Sequence, residues 1–140
     1  MWIKVTACAF LFLCAVSDVR KKEVPLLVVW AGMLTAIVLR LAGLCGRFDL
    51  AGALLALLPG VFFLILSFVT REKVGYGDGW MLLMIGLFAG YEDCFVILML
   101  GLVLESVTAL VLLVFRKIRR EDEMPFAPFL LAGMGVIYWL

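Results

Sequence analysis

Twenty consecutive residues, Leu50 to Val69, LAGALLALLPGVFFLILSFV, carry no charged side chain. As a helix rising ~1.5 Å per residue, such a run spans the ~30 Å hydrocarbon core of a bilayer. Five further apolar segments, 2–17, 25–44, 80–91, 94–115 and 126–140, fill most of the remaining chain. Of the 140 residues, 66% are hydrophobic and 16% charged, and mean hydropathy is +1.21. No soluble domain of this size hides that much apolar surface in one core. The expected fold is an all-α integral membrane protein of about six transmembrane helices, one domain over 1–140. The first segment lacks the small-residue cleavage site of a signal peptide and reads as a retained span. Pro25 suits the first turn of the second helix, and Pro59-Gly60 predicts a kink in the third. The lipid bilayer is the one partner that composition specifies. With no basic patch outside the loops, a nucleic-acid role finds no support.

Basic residues set the orientation. Arg20, Lys21, Lys22, Arg71, Lys73, Arg116, Lys117, Arg119 and Arg120 lie in the first, third and fifth connections and account for nine of the 12 lysines and arginines. Lys4, Arg40 and Arg47 fall on the other side. The positive-inside rule then puts those three connections in the cytoplasm and both termini outside. Asp18 and Asp78 share the cytoplasmic face.

The chain has no histidine, which removes Ser-His-Asp and Cys-His mechanisms and His-ligated zinc. Cys8, Cys14, Cys45 and Cys94 form no CxxC pair and read as packing or lipid-facing residues. No metal and no cofactor is expected. Carboxylates are left as the main candidates for chemistry.

One of them stands in an unusual place. In KVGYGDGWMLL, residues 73–83, Asp78 sits among Gly75, Gly77 and Gly79 directly before an apolar run of only about 18 Å. These glycines allow backbone angles and close approaches that side chains forbid, so a non-helical loop is expected to present Asp78 at the membrane boundary. A carboxylate at that depth is costly and is a functional candidate by default. In SDVRKKEVP, residues 17–25, Asp18 offers a second at the end of the first span. Two neighbouring carboxylates share a proton, the arrangement of an aspartic protease. Taken singly, Asp78 also fits a helix-capping turn and Asp18 the flank of a basic topogenic loop. Glu105 lies mid-way along the fifth span, where a packing contact is the first expectation and functional use the second. Gly86 and Gly90 form a GxxxG suited to close helix packing. Arg40 is expected to snorkel to the outer surface.

Together these features resemble a small type IV prepilin peptidase, a membrane aspartyl protease of the GxGD class. Asp18, its basic stretch and Val24-Pro25 are similar to the family's first site. Gly75-Tyr76-Gly77-Asp78 matches its second, and MPFAPFLLAG, residues 124–133, is similar to the Pro-Phe-x-Pro opening of its last helix. The resemblance implies catalytic Asp18 and Asp78, with Gly75, Gly77, Gly79 and Pro25 shaping the motifs. It also implies a type IV prepilin or pseudopilin-like substrate whose short basic leader is cut, after a glycine, where an apolar helix begins. Leu26 stands where asparagine is usual, and Gly79-Trp80 where a hydrophobic-lysine pair is common; both bear on substrate preference. The paired-CxxC N-terminal part of larger members is missing, so the resemblance implies no methyltransferase activity. A non-proteolytic small transporter or pilus-assembly scaffold is the competing class, although no inverted repeat supports it.

Overall fold

Backbone amides immersed in lipid must be satisfied within their own segment, which leaves helices as the available structure for runs like these. The computed structural model describes residues 1–44, 49–71, 75–119 and 122–140. The described residues form six helices: α1 Trp2–Lys21, α2 Leu26–Leu41, α3 Leu50–Val69, α4 Tyr76–Ala89, α5 Tyr91–Val114 and α6 Ala127–Trp139. The described residues include no strand. Long and short helices alternate. α1, α3 and α5 are long and apolar enough to cross a membrane, whereas α2, α4 and α6 are shorter apolar helices of 16, 14 and 13 residues.

α4 is the core of the molecule. Met81, Leu82, Met84 and Ile85 are fully buried, and α4 packs on α1, α2, α3 and α5. Neighbours touch in the order α2, α1, α6, α5, α3, so five helices wrap α4 with α2 and α3 at the two ends of the wrap. The outer surface is apolar: Leu27, Leu41, Leu54, Phe62, Phe68 and Val114 are all exposed. That is the inverse of a soluble protein and matches a lipid solvent.

Small residues set the α3–α4 contact. Gly60 faces Leu83, Leu64 faces Gly79, and Ala56 faces Gly86, an antiparallel register held over two turns. A Cβ on Gly86 would collide with the Ala56 carbonyl oxygen, and one on Gly79 would come within 2.8 Å of the Leu64 side chain. Backbones this close gain dispersion contacts where lipid offers no hydrophobic drive between helices. α3 itself begins on Asp49, whose carboxylate accepts from the amides of Ala51 and Gly52 at 3.3 and 3.2 Å, as a helix N-cap should.

The boundaries depart from the sequence expectation where polar residues adjoin apolar ones. α1 continues past residue 17 to Lys21 and ends on Lys22 in the left-handed region (φ 52°). α4 begins at Tyr76, not at residue 80, so the expected loop over Gly77–Asp78 is the first turn of a helix. Gly75 has φ −56°, and neither Gly77 nor Gly79 is among the positive-φ glycines. The glycines of the motif therefore serve close approach, not unusual backbone angles. Gly79 is a packing residue of α4, not a loop-shaping one. Gly90, expected to pack as half of a GxxxG, is the single residue between α4 and α5 and holds φ 89°, which favours glycine. Arg40, expected to snorkel outward, is half-buried; its Nε donates to the Leu87 carbonyl at 2.5 Å, satisfying an orphan acceptor at the C-terminus of α4 where a cation is favoured. Pro25 precedes α2 as its N-cap, with Leu26 the first helical residue, and Pro59 lies inside α3. Cys8, Cys14 and Cys94 are free thiols, the latter two buried. Cys45, Arg47, Lys73 and Arg120 lie outside the described residues.

Candidate active site

Asp18 occupies the last turn of α1 and is buried, 6% exposed. A carboxylate removed from water needs donors, and one comes from another helix. Its Oδ2 accepts from the backbone amide of Ala127 at 3.0 Å. Ala127 is the first residue of α6, and Pro128, which follows it, has no amide hydrogen to offer. Asp18 thus caps the N-terminus of α6 across 109 positions of chain, where the helix dipole also favours an anion. Sequence reasoning named Asp18 but not this partner, since a backbone amide leaves no mark on residue type.

Asp78 lies in the first turn of α4. Its amide donates to the Gly75 carbonyl at 3.1 Å, and its side chain folds back over Gly75, where a Cβ would stand 2.6 Å from Oδ2. Gly75 is therefore the space that the carboxylate occupies. Gly77 lies against Val24; a Cβ there would fall 2.6 Å from the valine side chain. This contact ties the Val24-Pro25 turn to the Gly-Tyr-Gly-Asp turn. Ser17 strengthens the first of these turns by donating to the Glu23 carbonyl at 3.3 Å.

Asp18 and Asp78 line one cavity of about 990 Å³. Its origin is the alternation of helix lengths. The N-terminal ends of α2, α4 and α6 stop short together, represented in the lining by Leu26, Tyr76 and Phe126, while Phe63 and Leu66 of α3 and Leu102 and Ala109 of α5 form the walls. Three helix N-termini converge there, and their dipoles offset part of the negative charge. Phe63 and Phe126 stack at 6.3 Å on one side. Glu105 lines the cavity too, and both Asp18 and Glu105 are near enough to act on Asp78 electrostatically. Glu105 thus borders the cavity, a placement that suits the functional use that was its second expectation. Leu102, Glu105 and Ala109 lie three and four residues apart on one face of α5, but in a helix apolar nearly all round that spacing does not mark the face in the sequence. Among the described residues, no group of three His, Cys, Asp or Glu side chains could hold a metal ion.

A family model of the type IV leader peptidase family matches residues 5–114. The chain belongs to this family. The match takes in Asp18 and Asp78 and ends before α6, so the Pro-Phe-x-Pro segment lies beyond it. Among curated proteins and among solved structures there is no significant match. Membership makes the chain a membrane peptidase of the leader-peptidase kind and favours proteolysis over the transporter or scaffold reading. In this peptidase the geometry joins the two sequence motifs through the Gly77–Val24 contact and through their common cavity.

Proposed function

We propose that the peptidase is an aspartic endopeptidase that removes the short basic leader from type IV prepilin or pseudopilin-like proteins at the cytoplasmic boundary of the membrane, with Asp18 and Asp78 as the catalytic pair. The observation that carries this reading is that two aspartates, on α1 and α4, line one cavity of about 990 Å³. One carboxylate, ionised, takes a proton from water as the water oxygen bonds to the scissile carbonyl carbon. The other, protonated, gives its proton to the carbonyl oxygen. Collapse of the tetrahedral intermediate breaks the C–N bond as the carboxyl that took the water's proton gives it to the departing amine, and the other carboxylate takes a proton back from a hydroxyl of the diol. The pair is then ready to share one proton again.

The same proposal takes all six helices as transmembrane in a GxGD-type arrangement and residues 1–140 as one domain. The cytoplasmic side of the inner membrane is that of Asp18, Asp78 and the basic connections. α5 supports a recessed site. It runs nine residues beyond Glu105 to Val114, about 14 Å of apolar helix past the level of that carboxylate. A leader emerging into the cytoplasm and an apolar helix remaining in lipid would bring the bond between them to this depth.

Purified peptidase in lipid is to be given a prepilin-like protein with a basic leader, a glycine at the junction and an apolar helix. One cut after the glycine is expected, and a bulky residue in place of that glycine stops it. Equal cleavage of both substrates, or cleavage at scattered positions, contradicts the assignment.

A further inference from the structure

The described lining of the cavity carries more carboxylates than a catalytic pair of aspartates requires. Among its described lining residues, Asp18, Glu23, Asp78, Glu105, Asp122 and Glu123 face a single cation, Lys22. These carboxylates are not equivalent. Glu23, Asp122 and Glu123 are exposed at the rim, where solvent and salt screen them and each contributes little to binding. Asp122 is also engaged locally, accepting from the Arg119 amide at 2.8 Å. Glu105 is half-buried on the wall.

The helix register places Glu105 at the level of the aspartates. Gly101 packs on Leu130, and Gly133 on Ile97, so α5 and α6 run antiparallel. One turn further along α5, Glu105 comes level with Phe126–Ala127, the end of α6 to which Asp18 is bonded. No lysine or arginine among the described residues forms an ion pair with Glu105, Lys22 included. A carboxylate at membrane depth without a cation is costly, and in a low-dielectric recess it attracts one strongly.

We propose that Glu105 is a specificity-determining residue that receives a lysine or arginine of the substrate leader on the α5 wall, fixing which peptide bond reaches Asp18 and Asp78. The inference rests on the leader-peptidase reading above and deepens it. The rim carboxylates gather a basic segment without selecting a register. Glu105, buried deeper and alone on its helix face, selects one. A charge-assisted contact of this kind is worth about tenfold in discrimination.

The test is a charge exchange between enzyme and substrate. Lysines and arginines of the leader are replaced one at a time by glutamine, and kcat and KM are measured with the reconstituted peptidase. At one leader position the wild-type enzyme is expected to prefer the basic residue by about tenfold in kcat/KM, chiefly through KM. Glu105→Gln erases that ratio, Glu105→Asp retains most of it, and Glu105→Lys turns the preference toward glutamate at the same position. If Glu105→Gln lowers kcat alike for every leader, or leaves the ratio intact, Glu105 does not read the leader. If the wild-type enzyme cleaves no leader at all, the substrate assignment itself fails and this inference with it, a result distinct from an unchanged preference.

Discussion

Among the described residues Asp18 is held by a backbone amide and by no cation, and this separates its structural part from its proposed chemical one. Asparagine keeps an oxygen that can accept from Ala127, whereas alanine leaves the amide at the start of α6 buried without a partner. Asp18→Ala is therefore expected to lose about 1–3 kcal/mol of stability that Asp18→Asn retains. Thermal unfolding in detergent, followed by the loss of helical signal, measures the difference. Equal melting of the two variants would mean that the 3.0 Å contact contributes nothing. At Asp49 the same logic predicts a mild effect, because asparagine caps a helix nearly as well as aspartate.

Among the elements, the α3–α4 pair is the most tightly specified. Gly86 has no room for a side chain against the Ala56 carbonyl, which as backbone cannot swing aside. Gly86→Leu should force the helices apart, cost at least about 1–3 kcal/mol and sharply reduce the protein recovered from membranes. Gly135, beside which a Cβ meets nothing within 4 Å, is the control, and Gly135→Ala should accumulate normally. Comparable yields for both variants would show that the close contact is not needed.

This interface also explains what the sequence could and could not reveal. Hydropathy found every helix because each has an apolar stretch, but it marks where the chain is apolar, not where it is helical. It therefore ended the first helix before Asp18 and began the fourth after Asp78, though both aspartates are helical. The Gly-Tyr-Gly-Asp-Gly run, residues 75–79, suggested a loop because three glycines alternate within five residues. Only the partners, Asp78 itself, Val24 and Leu64, reveal that each glycine makes room for something different. Asp18 and Asp78 stood out in the sequence as a pair, although each alone also fitted a capping or topogenic reading, and the structure brings both to one cavity. Glu105 was left undecided, since the inward face of α5 depends on neighbours that no local pattern names.

For the molecule as a whole, alternating long and short helices turn six segments into a bundle with a recess at one end. In the proposed orientation, with the basic connections inside, that end faces the cytoplasm. Single cysteines introduced at Lys22, Tyr76 and Lys117 should react with a membrane-impermeant thiol reagent only after the cytoplasmic side is opened. One at Leu140 should react from outside. External labelling at Lys117 would invert the orientation and remove the proposed route for the leader.

Whether Asp18 and Asp78 act as one unit is decided by the cleavage of a prepilin-like substrate by the single and double asparagine variants. Asn is nearly isosteric with Asp but neither takes a proton from water nor shares one with a partner carboxylate. Asp18→Asn and Asp78→Asn are each expected to lower turnover by at least about 100-fold while accumulating in the membrane like the wild type, and Asp49→Asn and Asp93→Asn to stay active. The double variant should be no slower than either single one, because members of a catalytic unit are not additive. Near-normal turnover by Asp18→Asn, beside an inactive Asp78→Asn, would contradict the account and leave Asp18 as the cap of α6 alone.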